Sequence, residues 1–380
     1  MQKIKIDKAL IDSFRDTVTR YSFIESKYQN VNNKNKWNII CSSMDWITVA
    51  VNGLPYISLE DKPFRDDTVS INLMQYIMSI DLIYESIRQL YRVFLNHPSN
   101  YPLKEDSSIF QRAISDDDFF KHIRAVFGAH PVNLNSLDGA NVSKGEKFYA
   151  SWSAPDFIDG DFNVFLYSNN PENDKPFHFP IKMGLLNFYA EKRYELLEDL
   201  INIVNQESKE HIESNLNRPI SKSDNPIKQL EILALENELR WGKGNGYYDS
   251  IWRIINFLKT NISAPDINQG FIQSYKNYLI SKVEIIRERL QNMEFHKQEF
   301  IYAFYIFLHQ KFKNQSYELR KVYEHIEGFD SSGYGIENIK ILIAKEILPK
   351  NFLVFSSVEQ LLILNAKLFS KLENLEKSEL

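Results

Sequence analysis

Cysteine is almost absent from this chain, which contains only Cys41 among its 380 residues. A single thiol excludes a disulfide framework within the chain and a zinc site built from cysteines. Long apolar runs are also lacking, since no uninterrupted stretch approaches the roughly 20 residues that a membrane-spanning helix needs. The opening segment, Met1–Phe14, is charged throughout and has no apolar signal core. These absences predict a soluble cytoplasmic protein that makes no contact with a membrane.

A strong excess of charge of one sign is missing too, because the formal net charge is -5 and the pI is about 6.0. This balance argues against a globally basic nucleic-acid-binding protein but permits a local basic cleft. With 43% hydrophobic and 13% aromatic residues, the chain can bury a sizeable core and is not expected to be disordered. Its length is sufficient for two domains or for one elongated helical body.

Apolar residues recur every three or four positions through most of the chain, which predicts a mainly all-α fold. The clearest case is Thr68–Leu95, where the spacing persists for about 28 residues. Other helices of the N-terminal half are predicted at residues 6–29, 37–51, 116–128 and 185–204. The last three, together with Thr68–Leu95, form a predicted four-helix group.

Three short aromatic segments interrupt the helical pattern in the middle of the chain. They are Lys147–Ser153, Phe162–Ser168 and Phe177–Ile181, and turn residues separate them. The pattern predicts a small antiparallel β-flap of two or three strands at about residues 147–181. Pro176 and Pro180 make the third strand doubtful and confine it to a sheet edge if it forms.

A polar segment at residues 207–225 is the predicted domain boundary. The N-terminal domain, residues 1–206, is expected to hold the four-helix group and the flap, and residues 226–380 are expected to form an all-helical C-terminal domain. Helices of the second domain are predicted near residues 226–240, 247–261, 266–293, 295–313, 315–327, 336–347 and 357–376. The sequence has no repeat of fixed period and no low-complexity tract.

The segment Asp116–Leu134 (DDDFFKHIRAVFGAHPVNL) carries the strongest candidate chemistry. Ser115 is the expected N-cap of its helix, and the acidic first turn suits the helix dipole. Gly128 and Pro131 are expected to end the helix. Arg124 and His130 lie on either side of that end. Imidazole can act as general base or acid in RNA cleavage, and a guanidinium can stabilise charge on the phosphate.

Alternative interpretations of this pair stay open. Residues six apart on an uninterrupted helix point about 240° apart, so Arg124 and His130 can meet only through a break in the helix. Arg124 can instead pair with Asp117 or another acid, and His130 can satisfy carbonyl groups at the helix end. The same Arg-x(4–6)-His pattern also occurs at Arg92…His97 and Arg320…His325.

The segment Ile123–Pro131 (IRAVFGAHP), followed by an aromatic flap and a long helix, resembles the HEPN superfamily. Members carry an Arg-x(4–6)-His motif that ends a helix within a four-helix group. The resemblance covers residues 37–205 and implies a HEPN-like four-helix bundle. Members are commonly metal-independent ribonucleases of toxin–antitoxin, phage-defence and CRISPR-associated systems. They usually dimerise so that two motifs face one cleft.

The resemblance implies RNA as the substrate, a homodimer, and an antitoxin or another defence protein as partner. It also implies that Arg124 stabilises the phosphate and that His130 is the general acid or base. Many active members have a polar residue directly after the arginine, whereas this chain has Ala125. The alternative is therefore a catalytically inactive helical protein that binds RNA or serves as a protein-interaction scaffold.

Further residues are assigned to substrate binding, namely Lys121, His122, Lys243 and Arg253. Lys243 lies in the glycine-rich segment Gly242–Gly246, which fits a phosphate-binding loop less well than a turn between helices. Basic segments with interleaved aromatic residues, Lys276–Arg289 and Phe307–Lys313, fit either an RNA-binding surface or a solvated helix face. The acidic residues Asp156, Asp159 and Asp161 do not match a calcium loop, and the run Asp116–Asp118 fits a helix start better than a magnesium site. Neither a metal nor a cofactor is predicted.

Overall fold

A computed structural model describes residues 3–59, 67–96, 101–141, 144–152, 160–330 and 333–377. The chain forms two compact units, Met1–Ser208 and Lys209–Leu380. It is mostly helical and contains one small antiparallel sheet. Within the described residues, no helix has the length and apolar character that crossing a membrane requires.

The helices of the first unit follow the predicted order, and the last of them contains the division between the units. They are α1 (Lys8–Thr19), α2 (Ser22–Gln29), α3 (Trp37–Gly53), α4 (Asp67–Phe94), α5 (Asp116–Arg124), α6 (Met183–Tyr194) and α7 (Leu196–Leu216). The long helix α4 is the centre of this unit, because a mainly apolar face of it is buried from Leu73 to Phe94. Its Tyr84 ring lies 6.3 Å from the Phe120 ring of α5 and 6.2 Å from the Tyr189 ring of α6.

The first predicted helix, residues 6–29, is wrong as a single element. It is two helices, α1 and α2, separated by Tyr21 in an extended conformation. The physical reason is burial. On one continuous helix Phe14 and Phe23 would point about 180° apart, yet both are buried in the same core. A smaller difference occurs at Glu195, which divides the predicted helix 185–204 into α6 and α7.

The flap is a three-stranded antiparallel sheet in the order β1 (Phe148–Trp152), β2 (Phe162–Ser168) and β3 (Phe177–Ile181). The doubtful third strand therefore exists. It is an edge strand in which Pro180 lies opposite Asn163, and an edge tolerates a residue without a backbone N–H. The sheet covers α5, since the Phe179 ring of β3 lies 5.9 Å from the Phe119 ring.

The second unit is helical throughout its described residues. Its helices are α8 (Pro226–Trp241), α9 (Tyr248–Lys259), α10 (Gln269–Gln291), α11 (Lys297–Phe304), α12 (Ser316–Ile326), α13 (Tyr334–Ala344) and α14 (Ser357–Lys377). The predicted helix at residues 295–313 is wrong, because α11 ends early and two 3-10 turns follow, Ile306–Leu308 and Gln310–Gln315. This break lets Phe307 and Phe312 both enter the core.

Candidate active site

The candidate site is built on α5, whose first turn has the predicted cap. The Ser115 hydroxyl accepts the backbone N–H of Asp118 at 3.2 Å. The three carboxylates of this turn differ in role, however. Asp118 is exposed and pairs with Lys121 at 3.0 Å, whereas Asp116 and Asp117 are buried.

The buried Asp117 fixes α5 to α6. Its Oδ1 atom accepts hydrogen bonds from Arg193 Nε at 3.0 Å, Arg193 Nη2 at 2.8 Å and the Tyr189 hydroxyl at 2.9 Å. The Arg193 side chain is completely buried and its guanidinium carbon lies 3.8 Å from the Tyr189 ring centroid. This pair sets the position of the helix that carries Arg124.

A π-helical turn, Ala125–Ala129, continues α5 after Arg124. The backbone N–H of His130 closes this turn by donating to the Ala125 carbonyl oxygen at 3.0 Å. The helical segment thus ends at Ala129, within the predicted stop Gly128–Pro131, but Gly128 itself lies inside the turn and the chain leaves the turn at His130. The turn is held in place by Phe127, whose ring packs 5.6 Å from Trp152 of the sheet. Turns of this π type are rare in proteins, and those that occur are often found at functional sites.

Arg124 forms an ion pair with Asp81 of α4, with Nη1 2.7 Å from Oδ2. The Arg124 side chain is 33% exposed and that of Asp81 is 9% exposed. Burial raises the pKa of the Asp81 carboxyl above its ordinary value, and the hydrogen bond and charge of Arg124 oppose this increase. Within the described residues, Arg124 Nε and Asp81 Oδ1 are buried without a hydrogen-bond partner. The partner of Arg124 is thus Asp81, and not Asp117.

His130 is exposed, and its imidazole makes no hydrogen bond or ion pair with any described residue. It also makes no hydrogen bond to Arg124. Arg124 lies directly before the π turn and His130 directly after it. The hydrogen bond that closes the turn joins His130 to Ala125, the residue that follows Arg124. The structure therefore has an anchored guanidinium directly before the π turn and an exposed imidazole directly after it.

The His122 side chain is too little exposed to bind a substrate. It is 8% exposed and its Nε2 atom lies 3.1 Å from the Leu137 carbonyl oxygen. Because a carbonyl only accepts, Nε2 carries the proton. The ring is also covered by Phe179, at 5.2 Å between ring centroids. The assignment of His122 to substrate binding is therefore not supported, whereas Lys121 stays half exposed beside Asp118.

The buried His122 makes the stability of the protein depend on pH. Burial lowers the pKa of His122 below its ordinary value, so the unfolded chain binds a proton more readily than the folded chain. We expect His122 to lower the free energy of unfolding as the pH falls below about 6.5, by at most about 1.4 kcal/mol per pH unit. Urea unfolding at about pH 7.5 and 5.5 measures this loss.

In the His122→Gln variant this contribution should vanish, because an amide N–H can reach Leu137 without titrating. His178→Gln is the matched control, since His178 is exposed on β3. An unchanged pH dependence in His122→Gln would contradict the assignment.

Lys243 and Arg253 lie in the second unit, and Arg124 and His130 in the first. Arg253 Nη1 pairs with Glu327 at 2.6 Å, and its guanidinium faces the Tyr305 ring, so its charge is already neutralised. Lys243 is exposed in a turn that Asn237 organises through hydrogen bonds to Asn245 and Tyr247. This geometry agrees with a turn between α8 and α9.

Two further positions fit the Arg…His pattern. His97, the partner of Arg92 in one of them, lies outside the described residues. His325 Nδ1 lies 3.5 Å from Asp330 Oδ2, and Arg320 Nε lies 3.7 Å from Glu324 Oε1. Arg320 and His325 therefore each have their own acidic neighbour, unlike the free imidazole of His130.

Within the described residues, no group of three or more His, Cys, Asp or Glu side chains could hold a metal ion. Asp156 and Asp159 lie outside those residues, and Asp161 accepts the backbone N–H of Met183 at 2.6 Å. Comparison with models of known protein families, with curated proteins and with solved structures finds no match to this chain. Any functional assignment therefore depends on the geometry around Arg124 and His130.

Proposed function

We propose that this chain is a HEPN-type, metal-independent endoribonuclease in which Arg124 and His130 act on one phosphodiester. The observation that carries the proposal is the π turn Ala125–Ala129, which directly follows the anchored Arg124 and ends at the exposed His130. We further propose that the protein acts as a homodimer in bacterial defence or as the toxin of a toxin–antitoxin pair, as the HEPN resemblance implies.

The proposed reaction needs only a base, an acid and a charge stabiliser. The His130 imidazole removes the proton of a ribose 2′-hydroxyl, and the 2′-oxygen attacks the adjacent phosphorus. The bond from phosphorus to the 5′-oxygen breaks, which leaves a 2′,3′-cyclic phosphate, and the 5′-oxygen takes up a proton from a water molecule, which serves as the acid. Arg124 stabilises the additional negative charge on the phosphate oxygens. The ion pair with Asp81 supports this role because it fixes the direction of the guanidinium.

A second candidate is a helical RNA-binding or scaffold protein without cleavage activity. The specific observation in its favour is the same Asp81–Arg124 pair, because an arginine neutralised by a nearly buried carboxylate is also typical of a purely structural contact. Ala125, directly after the arginine, agrees with this candidate as well.

The products of the reaction separate the two candidates. We expect the purified protein to cleave single-stranded RNA in the presence of EDTA and to leave 2′,3′-cyclic phosphate and 5′-hydroxyl ends, which mass spectrometry of the fragments identifies. DNA of the same sequence should stay intact because it lacks the 2′-hydroxyl. Cleavage of the DNA, or a requirement for a divalent metal, would contradict the proposed ribonuclease. RNA binding without cleavage by every preparation would favour the second candidate.

A further inference from the structure

A small cavity lies between α5, the loop before α5 and the start of α6. Its volume is about 190 Å³. Phe110, Phe119, Ile123 and Leu185 contribute apolar surface to it, and among the described residues Arg112 and Lys182 contribute its charged side chains. The cavity therefore combines apolar side chains with two cationic ones.

Both cations are available for a ligand. Arg112 and Lys182 are exposed, and neither forms an ion pair or a side-chain hydrogen bond within the described part of the chain. Three acids of the same unit are already engaged, and one of them, Asp161, accepts the backbone N–H of Met183, the residue after Lys182, at 2.6 Å. Asp106 pairs with Lys192 at 2.8 Å, and Asp118 pairs with Lys121. Two unpaired cations beside one cavity attract an anionic group.

The loop that presents Arg112 is rigidly held. The buried Asp116 carboxylate accepts the backbone N–H groups of Ile109 at 3.0 Å and Phe110 at 2.9 Å. Gln111 has a φ of 52°, a conformation that non-glycine residues seldom adopt and that is often found at functional sites. The guanidinium carbon of Arg112 lies 5.0 Å from the Phe119 ring centroid, a distance at which the cation is attracted to the ring. The cation is thus positioned before any ligand binds.

We propose that this cavity binds one nucleotide of a single-stranded RNA, with the base against the apolar walls and Arg112 and the phosphate at Lys182 and Arg112. Arginine planes and aromatic rings stack on unpaired bases, and lysine and arginine bind phosphates. The size favours a strand over a free cofactor. Pockets that enclose a whole small ligand usually measure about 300–1,000 Å³, so this cavity holds only one base-sized part of a longer molecule.

The identity of the ligand as RNA rests on the proposed function, whereas the cavity and its charges do not. The test is therefore a binding measurement on the full chain with His130→Ala as the background, so that cleavage does not consume the probe. The probe is a 5′-fluorescein-labelled single-stranded RNA of about 12 nucleotides, followed by fluorescence anisotropy. Adenosine monophosphate and inorganic phosphate serve as competitors that separate a strand from a free nucleotide or phosphate.

Three variants are compared on that background. The double variant Arg112→Ala/Lys182→Ala removes both cations of the cavity. The double variant Arg20→Ala/Lys34→Ala removes one arginine and one lysine that are exposed and unpaired elsewhere in the same unit. Leu185→Trp fills the cavity without changing its charge. Melting curves of all three confirm that they fold.

We expect the cavity double variant to weaken RNA binding by about 10-fold or more and the control double variant to change it little. The slope of log affinity against log salt should fall by about 0.7 for each RNA phosphate that the variant no longer neutralises. Leu185→Trp should weaken RNA binding to a similar degree, because the indole ring occupies the space that the base would fill. Adenosine monophosphate and phosphate should compete only weakly, and strong competition by either would overturn the assignment to a strand.

The failure of this proposal is distinguishable from the failure of the proposed ribonuclease. Equal losses in the cavity and control double variants, or normal binding by Leu185→Trp, overturn the cavity proposal even if the wild-type protein cleaves RNA. Binding that depends on Arg112 in a protein that never cleaves RNA upholds the cavity and overturns the ribonuclease. A protein that binds no RNA overturns both.

Discussion

Replacing His130 with alanine is expected to lower the rate of RNA cleavage by about 10²–10⁴-fold, the range that a single general acid or base usually contributes. The imidazole is exposed and makes no hydrogen bond or ion pair with a described residue, so the change should leave the melting temperature of the protein unaltered. Single-turnover cleavage of a labelled RNA, measured in EDTA beside a thermal melt, gives both quantities. A loss of activity without a loss of stability would separate catalysis from folding.

The matched control is His178→Ala, because His178 is also exposed and belongs to the same unit. That variant should cleave at the wild-type rate. If His130→Ala cleaves as fast as His178→Ala, then His130 takes no part in the reaction and the ribonuclease proposal loses its general base.

The largest effect on stability is expected from Arg193→Met. This change leaves the Asp117 carboxylate buried between α5 and α6 with the Tyr189 hydroxyl as its remaining side-chain partner. Removing one partner of a buried ion pair costs about 3–5 kcal/mol, since the other charge stays buried and uncompensated. Urea unfolding of the wild type and the variant measures the difference in the free energy of unfolding.

Lys192→Met provides the control at the neighbouring position of α6. Lys192 pairs with Asp106, but its side chain is 31% exposed, and pairs of this kind contribute about 0–1 kcal/mol. The double variant Asp117→Leu/Arg193→Met should recover part of the stability that Arg193→Met loses, because it removes the unpaired charge. A cost for Arg193→Met no larger than that for Lys192→Met would contradict the buried-pair account.

The sequence predicts best the elements whose pattern is long and local. The helix predicted at Thr68–Leu95 is α4, Asp67–Phe94, because its apolar period continues without interruption over its whole length. The strands β1 and β2 lie within one residue of their predicted ends, since aromatic and β-branched residues bounded by turn residues define them. The mainly helical class of the fold follows from the same periodicity.

Helix breaks that contain neither glycine nor proline could not be predicted from local sequence patterns. Tyr21 and Glu195 have no special local preference, and the chain bends there only because residues on either side must enter one core. The π turn is a similar case. Gly128 and Pro131 indicated the end of a helix. The wider turn, in which the His130 N–H bonds the Ala125 carbonyl, depends on Phe127 packing against the sheet, and no local pattern predicts that contact.

The ion pairs that position α5 are the part of the site that sequence patterns missed. Asp81 precedes Arg124 by 43 residues, and Asp117 precedes Arg193 by 76 residues. One signal for Asp81 was present, because this acid follows Ile80 in a helix whose buried face includes Ile77, Ile80 and Tyr84. A charge on the buried side of a helix requires a partner, but nothing local identifies that partner as Arg124.

The central claim is that Arg124 and His130 act on the same phosphodiester. Its most direct test is the single-turnover rate of RNA cleavage in EDTA for the wild type, Arg124→Ala, His130→Ala and the double variant. Residues that act as one unit are strongly non-additive, so we predict that the double variant is about as slow as the slower single variant. Rate losses that multiply in the double variant, or cleavage that survives in all three variants, would contradict the account.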